Sequence, residues 1–272
     1  MKKNNVIFFG SKPAAVVAAE ILLKKGWKID LCVSTDSDEH SFYGEKNLLN
    51  FAKKNNIKVV TKKKDIKIKK KSVNFVISYM SRFYIDKDLR DLAKVASLNF
   101  HAGLLPKYGG FAFYNQAILD EVKEYGVTCH HMDEGYDTGP IAFKRKFKID
   151  TQKETAYSLE KKSQLNMLKL FLKFIDSYEK KKKIPKLKQN KKDIRYINKI
   201  DFEKMKKINL SWPKKKIEKY IRAFYYPPYD GASFDIKNKT LLLNSGFCNN
   251  LVSKIIHRDD YDFYKKKIYE KI

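Results

Sequence analysis

Short apolar runs alternate with segments of helical spacing through the first hundred residues, and this alternation limits the possible folds more than any other feature. Strands are predicted at 5–10, 28–34, 57–61, 74–80 and 95–101, with helices at 14–25, 45–55 and 86–94. Strands separated by helices in this way join through right-handed crossovers into a parallel sheet. We therefore predict an α/β fold with a doubly wound, mostly parallel sheet, whose ligands bind beyond the carboxyl ends of the strands.

The pattern changes after the fifth strand. A helix is predicted at 113–123, followed by two antiparallel strands at 126–132 and 140–149 that the loop 133–139 joins. His130 and His131 fall on opposite faces of the first of these strands. One is expected in the core and one at the surface, and a metal ion shared by the two is not expected.

The sequence of the second half indicates that the whole chain is divided into three parts. Thr151 and Glu154 resemble a capping box for a long amphipathic helix that ends near residue 178, and a lysine-rich stretch broken by Pro185 follows it. The predicted parts are a main domain at 1–180, a basic linker at 181–199 and a small C-terminal subdomain at 200–272. Within the subdomain we expect a helix from 211 to 224 and a hairpin of 232–236 with 240–244.

Composition excludes some classes of protein. The three cysteines, Cys32, Cys129 and Cys248, are odd in number and widely spaced, which argues against a disulfide framework or a zinc site. No apolar run approaches the roughly 20 residues of a membrane span, so we expect a soluble, cytoplasmic protein. The net charge of +27 comes almost entirely from scattered lysines. A solvated surface is the favoured interpretation, and a dedicated nucleic-acid surface is the alternative.

Asn99, His101 and Asp137 are the candidate catalytic residues. In a strand over 95–101, Asn99 and His101 lie on the same face at the carboxyl end. Asp137 lies between two glycines in a loop, from which its carboxylate can approach the histidine. An amide donor for an oxyanion, an imidazole that acts as the base or shares in binding the oxyanion, and a carboxylate suit acyl transfer to an amine. We expect a partly dry site to raise the pKa of Asp137.

Direct transfer is favoured because no serine or cysteine is placed as a nucleophile. The structural alternative for these three residues is a capping amide, a satisfied buried imidazole and a turn aspartate. Gly10, Ser11 and Lys12 end the first strand and precede a helix, so they form either a phosphate-binding turn or an ordinary strand-to-helix turn.

An ordered set of motifs surrounds the catalytic candidates: Asn99-x-His101 with Leu104-Leu105-Pro106, then Gly126-Val127-Thr128, then Asp133-x-Gly135-x-Asp137-x-Gly139-Pro140-Ile141. This set resembles the folate-dependent formyltransferase family over about residues 5–180. The resemblance implies a Rossmann-like formyltransferase fold, N10-formyltetrahydrofolate as formyl donor, Asn99, His101 and Asp137 as catalytic residues, and no metal. The implied donor pocket comprises Ser78, Met80, Arg82, Tyr84, Ile85, Asp133 and Tyr136.

Within this family, Ile221–Phe224 and Pro227–Ala232 resemble the segment that follows the catalytic domain of nucleotide-sugar N-formyltransferases. That resemblance implies formylation of a nucleotide-linked amino deoxysugar, such as a dTDP-linked 3- or 4-amino dideoxyhexose, for lipopolysaccharide or another surface glycan. Arg222 is expected to bind phosphate, and one of Phe224, Tyr225 and Tyr229 to stack on the base. The structural alternative is that Arg222 extends from its helix to solvent and the tyrosines pack at the domain junction. The expected acceptor-binding residues are Gly10, Ser11, Lys12, Tyr108, Gly109, Arg222, Phe224, Tyr225 and Tyr229.

Two other functions stay open. One is formylation of methionyl-tRNA, and the other is a catalytically silent nucleic-acid-binding module. Ala102-Gly103 and Gly109-Gly110-Phe111 depart from the family pattern on the acceptor side. The predicted hairpin is a candidate homodimer interface, with internal packing as the alternative.

Overall fold

Seven strands form one sheet in the order β3-β2-β1-β4-β5-β7-β8 in the computed structural model, which describes residues 3–35, 46–237, 239–243 and 259–270. The sheet strands are β1 (Asn5–Gly10), β2 (Lys28–Val33), β3 (Val59–Val60), β4 (Val73–Tyr79), β5 (Ala93–His101), β7 (Glu124–His131) and β8 (Ile141–Lys148). The first five of them pair in parallel, whereas β7 and β8 are antiparallel to their neighbours. The predicted doubly wound, mostly parallel α/β fold is confirmed.

The helices and the short strands complete the chain. They are α1 (Pro13–Lys24), α2 (Leu48–Lys54), α3 (Lys87–Arg90), β6 (Gly109–Gly110), α4 (Phe113–Leu119), α5 (Ala156–Lys181), β9 (Tyr196–Ile197), α6 (Lys199–Met205), α7 (Lys214–Phe224), β10 (Ser233–Ile236), β11 (Lys239–Leu242) and α8 (Asp260–Tyr269). Within the described ranges, no helix has the length and apolar character that crossing a bilayer requires.

The core lies on both faces of the sheet, which explains why the central strands read as continuous apolar runs. On one face, Phe75 and Phe100 pack edge-on against Phe174 of α5, with ring centroids 5.5 and 5.7 Å apart. On the other face, Ile7 and Val76 belong to a second buried cluster. Each buried aromatic or aliphatic side chain of this kind contributes about 1.5–3 kcal/mol to the free energy of unfolding.

Several predicted helix boundaries are wrong, for local reasons. The capping box of α5 is formed by Thr155 and Ser158, not by Thr151 and Glu154. The backbone N–H groups of Lys153 and Glu154 close a turn on the carbonyl of Asp150, which delays the helix. The helix predicted at 86–94 is shorter because β5 already begins at Ala93. The helix predicted at 113–123 is also shorter and ends at Leu119.

The segment 181–199, which we predict to be a linker, lies along the main sheet. Leu187 exchanges two backbone hydrogen bonds with Ile141 at 2.7 and 2.9 Å, and β9 within the segment pairs in parallel with β6. The three-part division of the chain stays a prediction. In this structure its boundaries do not separate the chain into independent units, because α8 also packs on α1 and α5.

The hairpin of the C-terminal part is present as β10 and β11, whose register pairs Ser233 with Leu242 and Ile236 with Lys239. Asn244, at the end of the predicted second strand, lies outside the described residues. Sequence periodicity did not predict α6 or α8.

Candidate functional site

Asn99, His101 and Asp137 meet at the carboxyl end of β5. Asn99 Nδ2 lies 3.4 Å from Asp137 Oδ1, and His101 Nδ1 lies 3.7 Å from Asp137 Oδ2. Asp137 reaches them from the loop between β7 and β8, where its backbone is left-handed with φ of +58°. The period of two along β5 places the amide and the imidazole on one face, as the sequence predicts.

The loop after β5 fixes the tautomer of His101. His101 Nε2 lies 2.7 Å from the carbonyl oxygen of Tyr108. Because a carbonyl only accepts, Nε2 must carry a proton, and Nδ1 is the nitrogen that faces Asp137. Gly103 makes this contact possible, since a Cβ at Gly103 would overlap the Tyr108 carbonyl and lie 2.5 Å from His101 Nε2. Phe113 packs edge-on against the imidazole, with ring centroids 4.8 Å apart.

His130 is a fourth member of the cluster that the sequence did not reveal. It lies directly opposite Asn99 on β7, with Nε2 3.1 Å from Asn99 Nδ2 and 3.4 Å from Asp137 Oδ1. Its Nδ1 donates to the carbonyl of His131 at 2.8 Å, which fixes the orientation of the ring. No sequence motif marks His130. Its place in the cluster follows from the register between β5 and β7, which depends on the fold.

The prediction that one of His130 and His131 lies at the surface is wrong, because both are buried. His131 Nε2 lies 2.9 Å from the carbonyl of Pro185, in the segment that covers this edge of the sheet. Burial lowers the pKa of His131. No group of metal-ligating side chains suitable for an ion occurs among the described residues.

The prediction of a raised pKa for Asp137 is also wrong. Burial by itself raises the pKa of this carboxyl, but the charge of His101, the bond to His130 and the charge of His130 outweigh it. The backbone N–H of Gly110, 3.0 Å from Oδ2, lowers the pKa further. Asp137 therefore remains ionised, as an acceptor and as the electrostatic partner of an imidazolium.

The predicted donor-pocket residues divide into two groups. Tyr84 and Tyr136 are exposed and face each other, with ring centroids 5.6 Å apart. The other predicted residues make contacts within the protein. Ser78 pairs with Asn99 in the sheet, the Met80 carbonyl accepts from Ser11 Oγ at 3.0 Å, and Ile85 is buried. Arg82 donates to the Tyr229 hydroxyl, and Asp133 accepts from Thr138 Oγ1 at 2.7 Å.

The predicted acceptor residues lie along the same edge of the sheet, with different accessibility. Lys12 pairs with Glu160 and donates to the Tyr226 hydroxyl at 2.7 Å, so its charge is already neutralised. Phe224 is a core residue, packed on Phe202 with ring centroids 5.7 Å apart, and is not available to stack on a base.

The remaining acceptor candidates differ in their surroundings. Gly10 is packed on Ala15, Ser11 is buried, and Gly109 pairs with Tyr196. Tyr108 is buried with its hydroxyl on Asp120, Tyr225 is half-buried, and Tyr229 is exposed beside Arg82. Arg222 donates to the Thr151 carbonyl at 3.5 Å, and its Nε is buried without a hydrogen-bond partner among the described residues.

Sequence comparisons with known proteins match formyltransferases. A model of the family described as formyl transferase matches residues 39–175. A methionyl-tRNA formyltransferase from Clostridium tetani is 32% identical over 230 residues, which cover 80% of this chain and 72% of that protein.

Two solved structures are similar over most of the chain. An N-formyltransferase from Helicobacter canadensis, in complex with folinic acid and dTDP-3-aminofucose, is 26% identical with a TM-score of 0.70, covering 87% of this chain and 85% of that one. WlaRD, a sugar 3-N-formyltransferase solved with dTDP and 5-N-formyltetrahydrofolate, is 27% identical with a TM-score of 0.70, covering 89% and 85%.

Proposed function

Because the chain belongs to the formyl transferase family, we propose that it moves a formyl group from N10-formyltetrahydrofolate to the amino group of a nucleotide-linked amino deoxysugar. The observation that carries this proposal is the likeness to two sugar N-formyltransferases, which extends over 87% and 89% of the chain and therefore includes residues beyond the family match at 39–175. A dTDP-linked 3- or 4-amino dideoxyhexose is the proposed acceptor class.

The proposed chemistry is direct attack of the sugar amine on the formyl carbon. Since His101 Nε2 is held by the Tyr108 carbonyl, Nδ1 takes the proton that the amine loses, and the ionised Asp137 stabilises the resulting imidazolium. The Asn99 amide donates to the oxyanion of the tetrahedral intermediate, in place of its 3.4 Å contact with Asp137. The bond from carbon to N10 then breaks, and the proton passes to N10 of the departing tetrahydrofolate.

The proposed acceptor site lies where residues 225–229 cross the carboxyl edge of the sheet. Tyr226 touches Lys12 there, and Tyr229 touches Arg82. These contacts place the segment between the ends of β1 and β4, the point where the order of the sheet reverses and where ligands bind in such folds. Arg222 supplies a cation for the diphosphate, and Tyr229 supplies an exposed ring for the base.

Methionyl-tRNA is the second candidate acceptor. It is favoured by the relative from Clostridium tetani, which is 32% identical, and by the net charge of +27, which suits a polyanion.

The test is a direct competition of acceptors. The purified protein is mixed with N10-formyltetrahydrofolate and, separately, with dTDP-3-amino and dTDP-4-amino sugars and with methionyl initiator tRNA, and tetrahydrofolate release is followed by absorbance. We expect turnover with an amino sugar only. Formylation of the tRNA without turnover of any amino sugar would overturn the proposal.

A further inference from the structure

Three exposed tyrosines form a row beside the catalytic cluster. The ring centroids of Tyr84 and Tyr136 are 5.6 Å apart, and those of Tyr136 and Tyr196 are 6.2 Å apart. The side chains are 55%, 62% and 42% exposed, respectively. We call these three residues the tyrosine row. Aromatic side chains that contact one another and yet remain open to solvent are a typical surface for binding a planar ring.

Tyr196 connects the row to the reacting centre. It belongs to β9, which is held beside β6 by hydrogen bonds from Gly109 N to Arg195 O at 3.2 Å and from Phe111 N to Ile197 O at 2.9 Å. Its ring lies against the open face of Gly110, where a Cβ would be 3.0 Å from Cδ2 and Cε2 of the ring.

Gly110 is the residue whose N–H binds Asp137, at 3.0 Å from Oδ2. Consistent with this placement, burial first and then the charge of Asp137 raise the pKa of Tyr196. The row therefore begins next to the carboxylate of the catalytic cluster and extends outward to Tyr84.

The formyl donor of the proposed function carries a matching group. Its N10 is the amino nitrogen of an aminobenzoyl unit, so a planar ring is bonded directly to the nitrogen that carries the formyl group. When the formyl carbon sits between Asn99, His101 and Asp137, this ring must lie within a few ångströms of the cluster. The tyrosine row is an exposed aromatic surface of three rings in contact, and it borders Asp137.

We propose that the tyrosine row binds the aminobenzoyl ring of the formyl donor by stacking, with Tyr196 as a donor-binding residue. This inference rests on the proposed folate donor and extends it. Tyr84 and Tyr136 come from the segments that the sequence already associated with the donor. Tyr196 lies outside the residues that the family model matches, in the stretch predicted to be a linker.

Fragments of the donor separate the row from the rest of the site. Binding of p-aminobenzoylglutamate, pterin-6-carboxylate and dTDP is measured by calorimetry for the unaltered protein and for Tyr196→Leu, which removes the ring but keeps apolar volume. Loss of one stacking partner should weaken p-aminobenzoylglutamate about tenfold. Binding of pterin-6-carboxylate and dTDP should not change.

Two further variants are controls. Tyr196→Phe keeps the ring and should bind p-aminobenzoylglutamate as the unaltered protein does. Leu187→Ala removes a 64% exposed apolar side chain from the same segment, outside the row, and should also have no effect.

The inference is overturned if p-aminobenzoylglutamate does not bind the unaltered protein, or binds Tyr196→Leu equally well. It is also overturned if both donor fragments weaken together, which would mean that Tyr196 only supports the loop of Gly110, or if dTDP alone weakens, which would assign the row to the acceptor. These measurements need no turnover. Failure to formylate any amino sugar would count against the proposed acceptor, and not against the tyrosine row.

Discussion

Replacing Gly103 by alanine should disable the catalytic cluster while leaving most of the fold intact. A Cβ at this position would overlap the carbonyl oxygen of Tyr108 and lie 2.5 Å from His101 Nε2. The obstruction is a backbone carbonyl, not the flexible end of a side chain, so the loop after β5 must move. The 2.7 Å bond between His101 and Tyr108 is then lost, and with it the restraint that directs Nδ1 toward Asp137.

Two magnitudes follow for Gly103→Ala. Leaving a buried donor or acceptor unpaired costs about 1–3 kcal/mol of the free energy of unfolding. A displacement of about 1 Å in a catalytic group lowers the rate about 100-fold. We therefore expect kcat to fall about 100-fold, with a moderate loss of stability in urea denaturation and an unchanged affinity for folinic acid.

Gly26→Ala is the matched control. Gly26 has φ of +75° with no atom within 4 Å of the added Cβ, so it suffers backbone strain without a clash. It should lose about 1 kcal/mol of stability and keep full kcat. If Gly103→Ala retains the kcat of the unaltered protein, the carbonyl of Tyr108 does not position His101 and the reasoning fails.

Three other outcomes are expected. Asp137→Asn should lower kcat by about 100-fold or more with folinic acid binding retained, because the amide cannot stabilise an imidazolium; weaker binding with normal kcat would refute this role. His130→Phe should lower kcat without abolishing it, since Asn99 loses the partner that orients its amide; equal kcat in steady-state assays would show that Asn99 needs no such partner. Because burial lowers the pKa of His131, the unfolded chain binds a proton more readily, so stability should fall as the pH drops below about 6.5. His131→Gln, which still donates to Pro185, should flatten that slope in urea denaturation across pH, and an unchanged slope would contradict it.

Local sequence was sufficient for the sheet and insufficient for the parts that depend on distant contacts. The runs Val6–Phe9 and Phe75–Tyr79 are buried on both faces, so their apolar continuity alone identifies central strands. The turn closed on Asp150 replaces the apparent capping box of Thr151 and Glu154, and the box that forms has Ser158 where the usual pattern has Glu or Gln. Composition is equally ambiguous for residues 181–199, because a lysine-rich stretch looks the same whether it is solvated or fastened by its backbone to Ile141.

The sign of the pKa shift at Asp137 shows most clearly where reasoning from sequence ends. Predicting that the carboxylate would be buried was sufficient to predict a raised pKa, and burial does act in that direction. Three partners reverse the sign: His101 on β5, His130 on β7, and the N–H of Gly110. Only the register of β5 against β7 brings His130 to Asn99 and Asp137, and β9 pairs with the strand that carries Gly110. The ionisation state of the catalytic carboxylate is therefore a property of the assembled sheet and of the segment beyond α5, and no single motif contains it.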